Sequence, residues 1–414
     1  MPTGAARGDA ARDMDALPSP AAAASPADAD PPLPPAALAA LALAFDADAM
    51  LDRLRAWVEC ESPTHDAAAV ERMLDLAARD LAVMGAAVER VPGRMGLAGC
   101  VRARLPHPAG AMPGTLVLGH LDTVHPVGTL AGGLPFRREG ERAYGPGTCD
   151  MKGGVLVAFE AIRAMLRAGV PPARPVTVLL TGDEEVGSPS TRDLIEAEAA
   201  RHAAVLVPEP ARADGGVVTG RYAIARFALS ATGRPSHAGA TPGEGRSAVR
   251  EMCRAVLAAE ALSTEDCTVS VGVISGGAWA NCVPTRCEAQ ALSMAKRQPD
   301  LDAGVARVLA LASGTPGVSL EVRRGVTRPV WEPGPGTMGL YATARALAAR
   351  LGVAALGHGS AGGGSDGNFT GAMGVPTLDG LGVVGAGYHT LEEHIRVDSL
   401  VPRARLMAGL LASV

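Results

Sequence analysis

Short apolar runs, each bounded by Gly, Pro or charged residues, alternate with longer stretches at helical spacing through the first half of the chain. The plainest run is Val176-Thr-Val-Leu-Leu-Thr181, apolar and β-branched, which predicts a strand buried on both faces. Thr115 to His120 and Ala203 to Val207 read the same way, and 88–91 and 99–105 predict shorter strands. Leu38, Leu41, Leu51 and Leu54 fall near helical spacing and predict a helix over 36–58. Further helices are predicted over 67–84, 154–167 and 190–201. Strands that alternate with helices in this way argue for an α/β unit with a largely parallel sheet.

The pattern changes near Gly220. Tyr222 to Ala231 alternates as a half-buried strand, and a helix over 245–262, strands over 267–274 and 287–295, a helix over 300–312 and a strand over 318–323 follow. That β-α-β-β-α-β order is the ferredoxin-like split arrangement. After Trp331 the α/β pattern resumes, with helices over 338–351 and 403–411 and a strand over 375–378. The organisation expected is therefore a tail over 1–35, a catalytic unit from 36–221 and 331–414, and an inserted unit over 222–330.

Composition narrows the function classes. The formal net charge of the 414 residues is −5 and no Lys/Arg run forms a patch, which points away from nucleic acid. No apolar stretch approaches the roughly 18–20 residues of a membrane span. Seven scattered cysteines with no C-x-x-C argue against a disulfide framework and against a cysteine zinc site. In the Ala/Pro-rich start, Asp9, Asp13 and Asp15 interrupt the chain and no apolar core follows, so no signal peptide is read there. The expectation is a disordered tail on a cytoplasmic protein.

The chemistry gathers at predicted strand ends. Glu184 and Glu185 follow strand 176–181. Two adjacent carboxylates at the end of a buried strand repel each other and are costly to desolvate, so a fold keeps them where a cation sits or a proton must move. His120 ends its own apolar run, and Glu209 lies two residues beyond Val207. In open α/β sheets such residues meet in the crevice beyond the carboxyl ends of the strands. Asp150, in Gly145-Pro-Gly-Thr-Cys-Asp150, and His389, in Gly385-Ala-Gly-Tyr-His389, sit on glycine-rich backbone that could reach the same place. Imidazole with carboxylate suits Zn, and carboxylate-rich sets also admit Mn or Co. Six such groups exceed one four-coordinate site and fit a metal pair better. Singly, each residue is weak: a loop Asp is most often a turn or cap, a His after a strand a core residue. His65, His107, His125, His202, His358 and His394 take that plainer reading.

Taken together and in order, His120-Leu-Asp122, Gly145 to Gly154, Asp183-Glu-Glu-Val-Gly187, Glu209-Pro210 and Tyr388-His389 resemble the M20 metallopeptidase family, and its glutamate carboxypeptidase subgroup in particular. Gly128 to Phe136, Ser236-His-Ala-Gly239, Asn281, Arg328-Pro329 and Gly362 to Asp366 resemble that subgroup too. The similarity spans roughly residues 45–414. It implies a three-layer α/β/α catalytic domain with a zinc-peptidase-like mixed sheet, plus an inserted ferredoxin-like α+β dimerisation (lid) domain over 222–330. It implies two Zn²⁺ (or Co²⁺ or Mn²⁺) held by His120, Asp150, Glu185, Glu209 and His389, with Asp150 bridging and the Asp150–Met151 peptide cis. Asp122 would orient His120, and Glu184 would take a proton from the attacking water and return it to the leaving amine. His237 would reach the reacting carbonyl from the inserted domain. Asn281 and Arg328 would grip a terminal carboxylate, and Gly363, Gly364 and Ser365 would line the pocket.

One departure bears on specificity. Leu292 and Met294 stand where the family commonly has Asp-x-Arg, with Lys296 and Arg297 the nearby cations that could substitute. The implied activity is hydrolysis of an amide or peptide bond next to a free carboxylate, as in a glutamate carboxypeptidase, by a homodimer acting on small molecules. A second reading is an N-acyl amino acid deacylase or desuccinylase with the same metals and base. A third, from another class, is a metal-binding protein without catalysis, against which the full set of ligands and base argues.

Overall fold

A computed structural model describes residues 33–414 except 110, 111 and 354; the tail expected over 1–35 lies almost wholly outside the described residues. The first helical stretch is two helices, α1 (Pro35–Leu43) and α2 (Ala47–Val58). The break falls at Asp46, whose carboxylate accepts from the Asp48 and Ala49 amides and so starts a new helix at Ala47. Then come α3 (Ala67–Val83), β1 (Ala87–Val91), β2 (Cys100–Arg104), β3 (Gly114–His120), the small strands β4 (Arg137–Glu139) and β5 (Arg142–Tyr144), and the long helix α4 (Gly153–Ala168). Strand β6 (Val176–Thr181) is buried at every residue, as its unbroken apolar run requires. It is followed by α5 (Arg192–Ala199), β7 (His202–Leu206) and β8 (Val217–Arg221).

The central sheet has the order β1-β2-β6-β3-β7 and ends on β14 (Thr377–Leu378). β6, β3, β7 and β14 run parallel, while β2 pairs antiparallel to β6 and β1 to β2. The sheet is therefore mixed, with a parallel heart. Helix α4 covers one face with twelve buried residues, and Trp57 of α2 meets Phe159 of α4 edge-on at 5.0 Å.

A second four-stranded sheet is built from β9 (Ala223–Thr232), β10 (Cys267–Gly276), β11 (Arg286–Ala295) and β12 (Ser319–Arg328), in the order β10-β11-β9-β12, all antiparallel. Helices α6 (Ala248–Glu260) and α7 (Gln298–Leu309) pack on one face of it. Phe227, Leu229, Met252, Leu301 and Val308 belong to a core of its own, separate from the main one. Residues at even positions of β9, Ile224 and Arg226 among them, turn to the opposite face. β12 runs five residues beyond the apolar stretch that marks it in the sequence and ends on Arg328. Of the three tryptophans, Trp57 and Trp331 are buried and Trp279 of the second sheet's loop is 76% exposed.

The chain closes with α8 (Pro335–Arg350), β13 (His358–Ala361), which pairs parallel to β8, then α9 (Gly367–Ala372), β14, the small strands β15 (Gly385–Ala386) and β16 (His394–Arg396), and α10 (Leu400–Leu411). Among the described residues no helix is long and apolar enough to cross a membrane. All seven cysteines are free thiols.

Two buried charges fix the frame. Glu160 of α4 is clamped by both Nε (2.7 Å) and Nη2 (2.6 Å) of Arg53 and by Arg163 at 2.5 Å. Arg403 of α10 has no carboxylate partner among the described residues; it donates to the carbonyls of Gly380, Leu381, Gly382 and Gly215 and so ties α10 to the segment after β14. Burial pulls its guanidinium down to about 10. Arg403→Met should leave those carbonyls without a donor and lower stability by about 2–4 kcal/mol. An unchanged midpoint in urea unfolding would mean the carbonyls are satisfied in another way.

Candidate metal centre

Three adjacent parallel strands deliver the site. β3 ends on His120 directly across from Thr181, the last residue of β6, so His120 and the turn carrying Glu184 and Glu185 emerge side by side. β7, on the other side of β3, leads through Val207 and Pro208 to Glu209. Asp150 sits in the turn just before α4, where its peptide bond to Met151 is cis. Gly154 explains how this turn and Glu209 come together. A Cβ there would overlap the carbonyl of Pro208, so only glycine lets the start of α4 lie against the approach to Glu209. His389 has φ +65°, in the left-handed region unusual for a residue with a side chain, and is preceded by Gly387 at φ +73°.

The predicted ligands meet around one carboxylate. Asp150 Oδ1 lies 3.2 Å from His120 Nε2, and Asp150 Oδ2 lies 3.3 Å from His389 Nε2. On the first side Glu209 Oε1 stands 3.7 Å from His120 Nε2. On the second, Glu185 Oε2 stands 3.1 Å from His389 Nε2. The two oxygens of Asp150 thus divide the cluster into halves, each with one His and one Glu. Asp122 is completely buried behind it. Its carbonyl lies 3.0 Å from His120 Nδ1, and its carboxylate accepts from Thr64 Oγ1 at 2.8 Å and from the amides of Glu184 and Glu185 at 3.2 Å each. One residue therefore orients the first His through its carbonyl and both acidic residues through its carboxylate.

The electrostatics call for a cation. Burial pushes the Glu209 carboxyl well up and that of Glu185 to about 8, with Asp150's charge adding to both. The two imidazoles go the other way. Burial opposes charge on His120, yet the carboxylates of Asp122 and Asp150 hold its proton-binding affinity well above normal. Hydrogen bonds to the Asp150 and Glu185 carboxylates carry His389 to about 11. Buried acids gaining protons and imidazoles gaining charge are two signs of the same local excess of negative charge. Glu185 Oε1 is, in addition, buried with no hydrogen-bond partner. A divalent cation answers both, and His120, Asp150 and Glu185 offer ligand atoms within 4.8 Å of one another.

Several supporting residues have no clear signal in the sequence. Glu393 is buried and collects the turn that carries Asp150. Its Oε1 accepts from the amides of Cys149 (2.8 Å) and Asp150 (3.0 Å), its Oε2 from Gly147 (2.9 Å). His125 Nε2 lies 2.7 Å from the same Oε2, so the histidine read as a plain loop residue braces this turn. Glu393 is the second of two adjacent glutamates, and only its burial in the turn before β16 tells it from the exposed Glu392. Asp366 accepts from Thr181 Oγ1 at 3.1 Å and from Arg328 Nη1 at 3.1 Å, beneath the acidic pair.

A cavity of about 480 Å³ opens on the ligands. Its walls include Asp150, Glu184, Glu185, Glu209, Arg226 and the glycines 362–364. Arg328 reaches it too, but is 3% exposed and committed: Nη2 donates to Glu184 Oε1 and to the Glu184 carbonyl, both at 2.8 Å, and Nη1 to Asp366. Gly363 and Gly364 lie on the wall, whereas Ser365 is fully buried behind it and donates to Asp379 Oδ2 at 2.7 Å. His237 and Asn281 are exposed on the second sheet's loops, beside each other and off this cavity. Lys296 pairs with Asp266 and Arg297 with Asp300, both outside the cavity.

Residues 116–413 match Peptidase family M20/M25/M40. The chain belongs to this family. It is a metal-dependent hydrolase of the metallopeptidase type, with the α/β fold of its relatives. Carboxypeptidase G2 of Pseudomonas sp. (strain RS-16) is 33% identical over 301 residues, covering 71% of this chain and 72% of that protein. Acetylornithine deacetylase of Myxococcus xanthus is 32% identical over 184 residues, 41% of this chain and 47% of its own. Among solved structures, human carnosine dipeptidase 1 superposes with a TM-score of 0.74 at 16% identity, over 91% of this chain and 98% of its own. The M20 family metallo-carboxypeptidase Sso-CP2 of Sulfolobus solfataricus gives 0.68 at 14%, over 88% and 98%. At such identities these two speak for the fold alone.

Loss of an acceptor at Glu393 should loosen the site without unfolding the chain. Glu393→Gln presents an amide N–H to amides that already donate, and metal affinity should fall about 10- to 100-fold. Titration with a chromophoric chelator measures it; wild-type affinity in the folded variant would remove Glu393 from the support of Asp150.

Proposed function

We propose that the chain is a dinuclear zinc hydrolase that cleaves an amide bond next to a free carboxylate, as a glutamate carboxypeptidase-like exopeptidase. The observation that carries this reading is the division of the cluster by Asp150, with His120 at one oxygen and Glu209 beside that imidazole, and His389 at the other oxygen with Glu185 beside it. Those five residues would hold the two ions, and Co²⁺ or Mn²⁺ would suit the same donors. When bound, the ions polarise the scissile carbonyl and make water acidic enough to ionise near neutral pH.

Glu184 moves the proton. Its Oε1 is anchored by Arg328, and its Oε2 faces His120 Nε2 at 3.9 Å, toward the ligands. The free oxygen is thus the one next to the reacting water. Burial raises the Glu184 carboxyl, and the charges of Arg328 and His120 oppose that rise. A carboxylate held between those tendencies can accept a proton from water and give it to the departing amine nitrogen. Asp122, through its hold on His120 and on the Glu184 and Glu185 amides, keeps donor and acceptor in register.

The residues 222–330 are proposed to pair with a second copy of the chain and so supply His237 and Asn281 to the partner's site. Their exposure away from their own cavity supports this. A second reading, an N-acyl amino acid deacylase or desuccinylase, is favoured by the acetylornithine deacetylase likeness and by that to succinyl-diaminopimelate desuccinylase of Rhodospirillum centenum, 37% identical over 136 residues, 30% of this chain and 35% of its own. The same metals and base serve both readings. A panel of dipeptides, folate-like conjugates and N-acyl amino acids, assayed for released amine with added Zn²⁺, Mn²⁺ or Co²⁺, separates them.

Glu184→Gln should retain fold and metal and lose about 10²- to 10⁴-fold in turnover; near wild-type turnover would assign the proton transfer elsewhere. Sedimentation at micromolar concentration should give a dimer, and a purely monomeric profile would rule out His237 acting across subunits.

A further inference from the structure

Four arginines face the cavity beside the metal ligands, and their partners differ. Arg221 Nε is paired with Asp379 at 2.7 Å, and its Nη1 donates to the carbonyls of Gly363 and Gly364. Arg328 is held between Glu184 and Asp366. Arg212, at the rim, lies 3.5 Å from Asp214. Arg226 alone among these four has no carboxylate partner among the described residues. Among the described residues its guanidinium makes one hydrogen bond, from Nη2 to the Glu185 carbonyl at 3.1 Å.

The fold puts this guanidinium where a substrate must lie. Arg226 stands on β9 opposite Leu292 of β11, and Ile224 stands opposite Met294. Cross-strand pairs share a face, so this face of the second sheet sets Ile224, Leu292 and Met294 beside Arg226, with the already paired Arg328 of β12 opposite Ile224. Glu185, whose carbonyl Arg226 contacts, is itself one of the ligand residues, so the guanidinium lies within one residue's reach of the cluster. It is half-buried, and burial together with repulsion from Arg328 lowers its affinity for its proton. A partly desolvated guanidinium with no carboxylate partner keeps several N–H donors unused, in a fork that matches a carboxylate.

We propose that Arg226 is the specificity residue of this chain, binding the free carboxylate of the substrate whose amide bond is cut, in place of the already committed Arg328. This rests on the hydrolase reading above and refines it. The substrates are anionic N-acyl amino acids or peptides with an unblocked C-terminus, seated with the carboxylate on β9 and the scissile bond over Asp150.

The test compares one N-acyl amino acid with the same molecule amidated at its carboxyl group, in wild type, Arg226→Gln and Arg226→Lys. The wild type should prefer the acid, and Arg226→Gln should lower the ratio of acid to amide kcat/KM by about 10- to 100-fold, chiefly through KM. Arg226→Lys, which keeps the charge but loses the fork, should fall between. Calorimetric titration of the acid into Glu184→Gln protein, with and without Arg226→Gln, should show the same loss in binding without turnover. A wild-type preference for the acid that survives Arg226→Gln overturns the assignment of Arg226 and leaves the hydrolase reading standing. Equal loss on acid and amide, with reduced metal content, makes Arg226 a brace for Glu185 and also overturns it. A wild type that cleaves both compounds equally overturns the assignment and the requirement for a free carboxylate together.

Discussion

The Asp150 carboxylate is shared between two imidazoles, and most of the catalytic unit can be understood as the means of keeping it there. A buried acid is stable only where charge or hydrogen bonds answer it. Asp150 is answered by His120 on one oxygen and His389 on the other, and its backbone is caught by Glu393. Each of those supports comes from a different part of the chain. β3 brings His120, the glycine-rich turn after β15 brings His389, and the turn before β16 brings Glu393. The close approach at Gly154 then sets Glu209 against the same point.

The rest of the electrostatics follows from that crowding. Too many carboxylates converge for the side chains to neutralise, and the arginines that do enter are placed unevenly. Arg328 and Arg221 are spent on Asp366, Glu184 and Asp379. The remaining deficit at the ligands suits a metal, and the remaining cation at Arg226 is the proposed place for an anion. Both features come from the same distribution of charge, read at two sides of one cavity.

Much of this was legible in the chain itself. β3, β6 and β7 were plain because strands buried on both faces carry unbroken apolar runs, and their parallel order at the heart of the sheet put His120, Glu184, Glu185 and Glu209 on one edge. The βαββαβ order of the second sheet was equally plain from its alternation. What was hidden depended on tertiary contacts. Asp46 splits a helix that hydrophobic spacing alone makes continuous. β8 and β13 are short and pair only with each other, from far apart in the chain, so neither is a strong strand signal alone. β12 continues to Arg328 through polar residues with no alternation to mark it. His125 and Glu393 are ordinary in sequence and become supports only because Gly147, Cys149 and Asp150 turn their amides inward. Arg226 carries no mark in the sequence, because the number of arginines says nothing of which ones already have partners.

The placement of the three tryptophans gives the molecule two optical environments. Trp57 lies in the main core, and Trp331 is buried where the chain returns from the second sheet. Trp279 stands in water on a loop of that sheet. The emission of the intact protein is therefore a sum of a blue, shielded component and a red component open to a soluble quencher. The red part reports only on the loop region near Asn281 and His237, so light can follow that corner of the molecule while the metal centre stays dark.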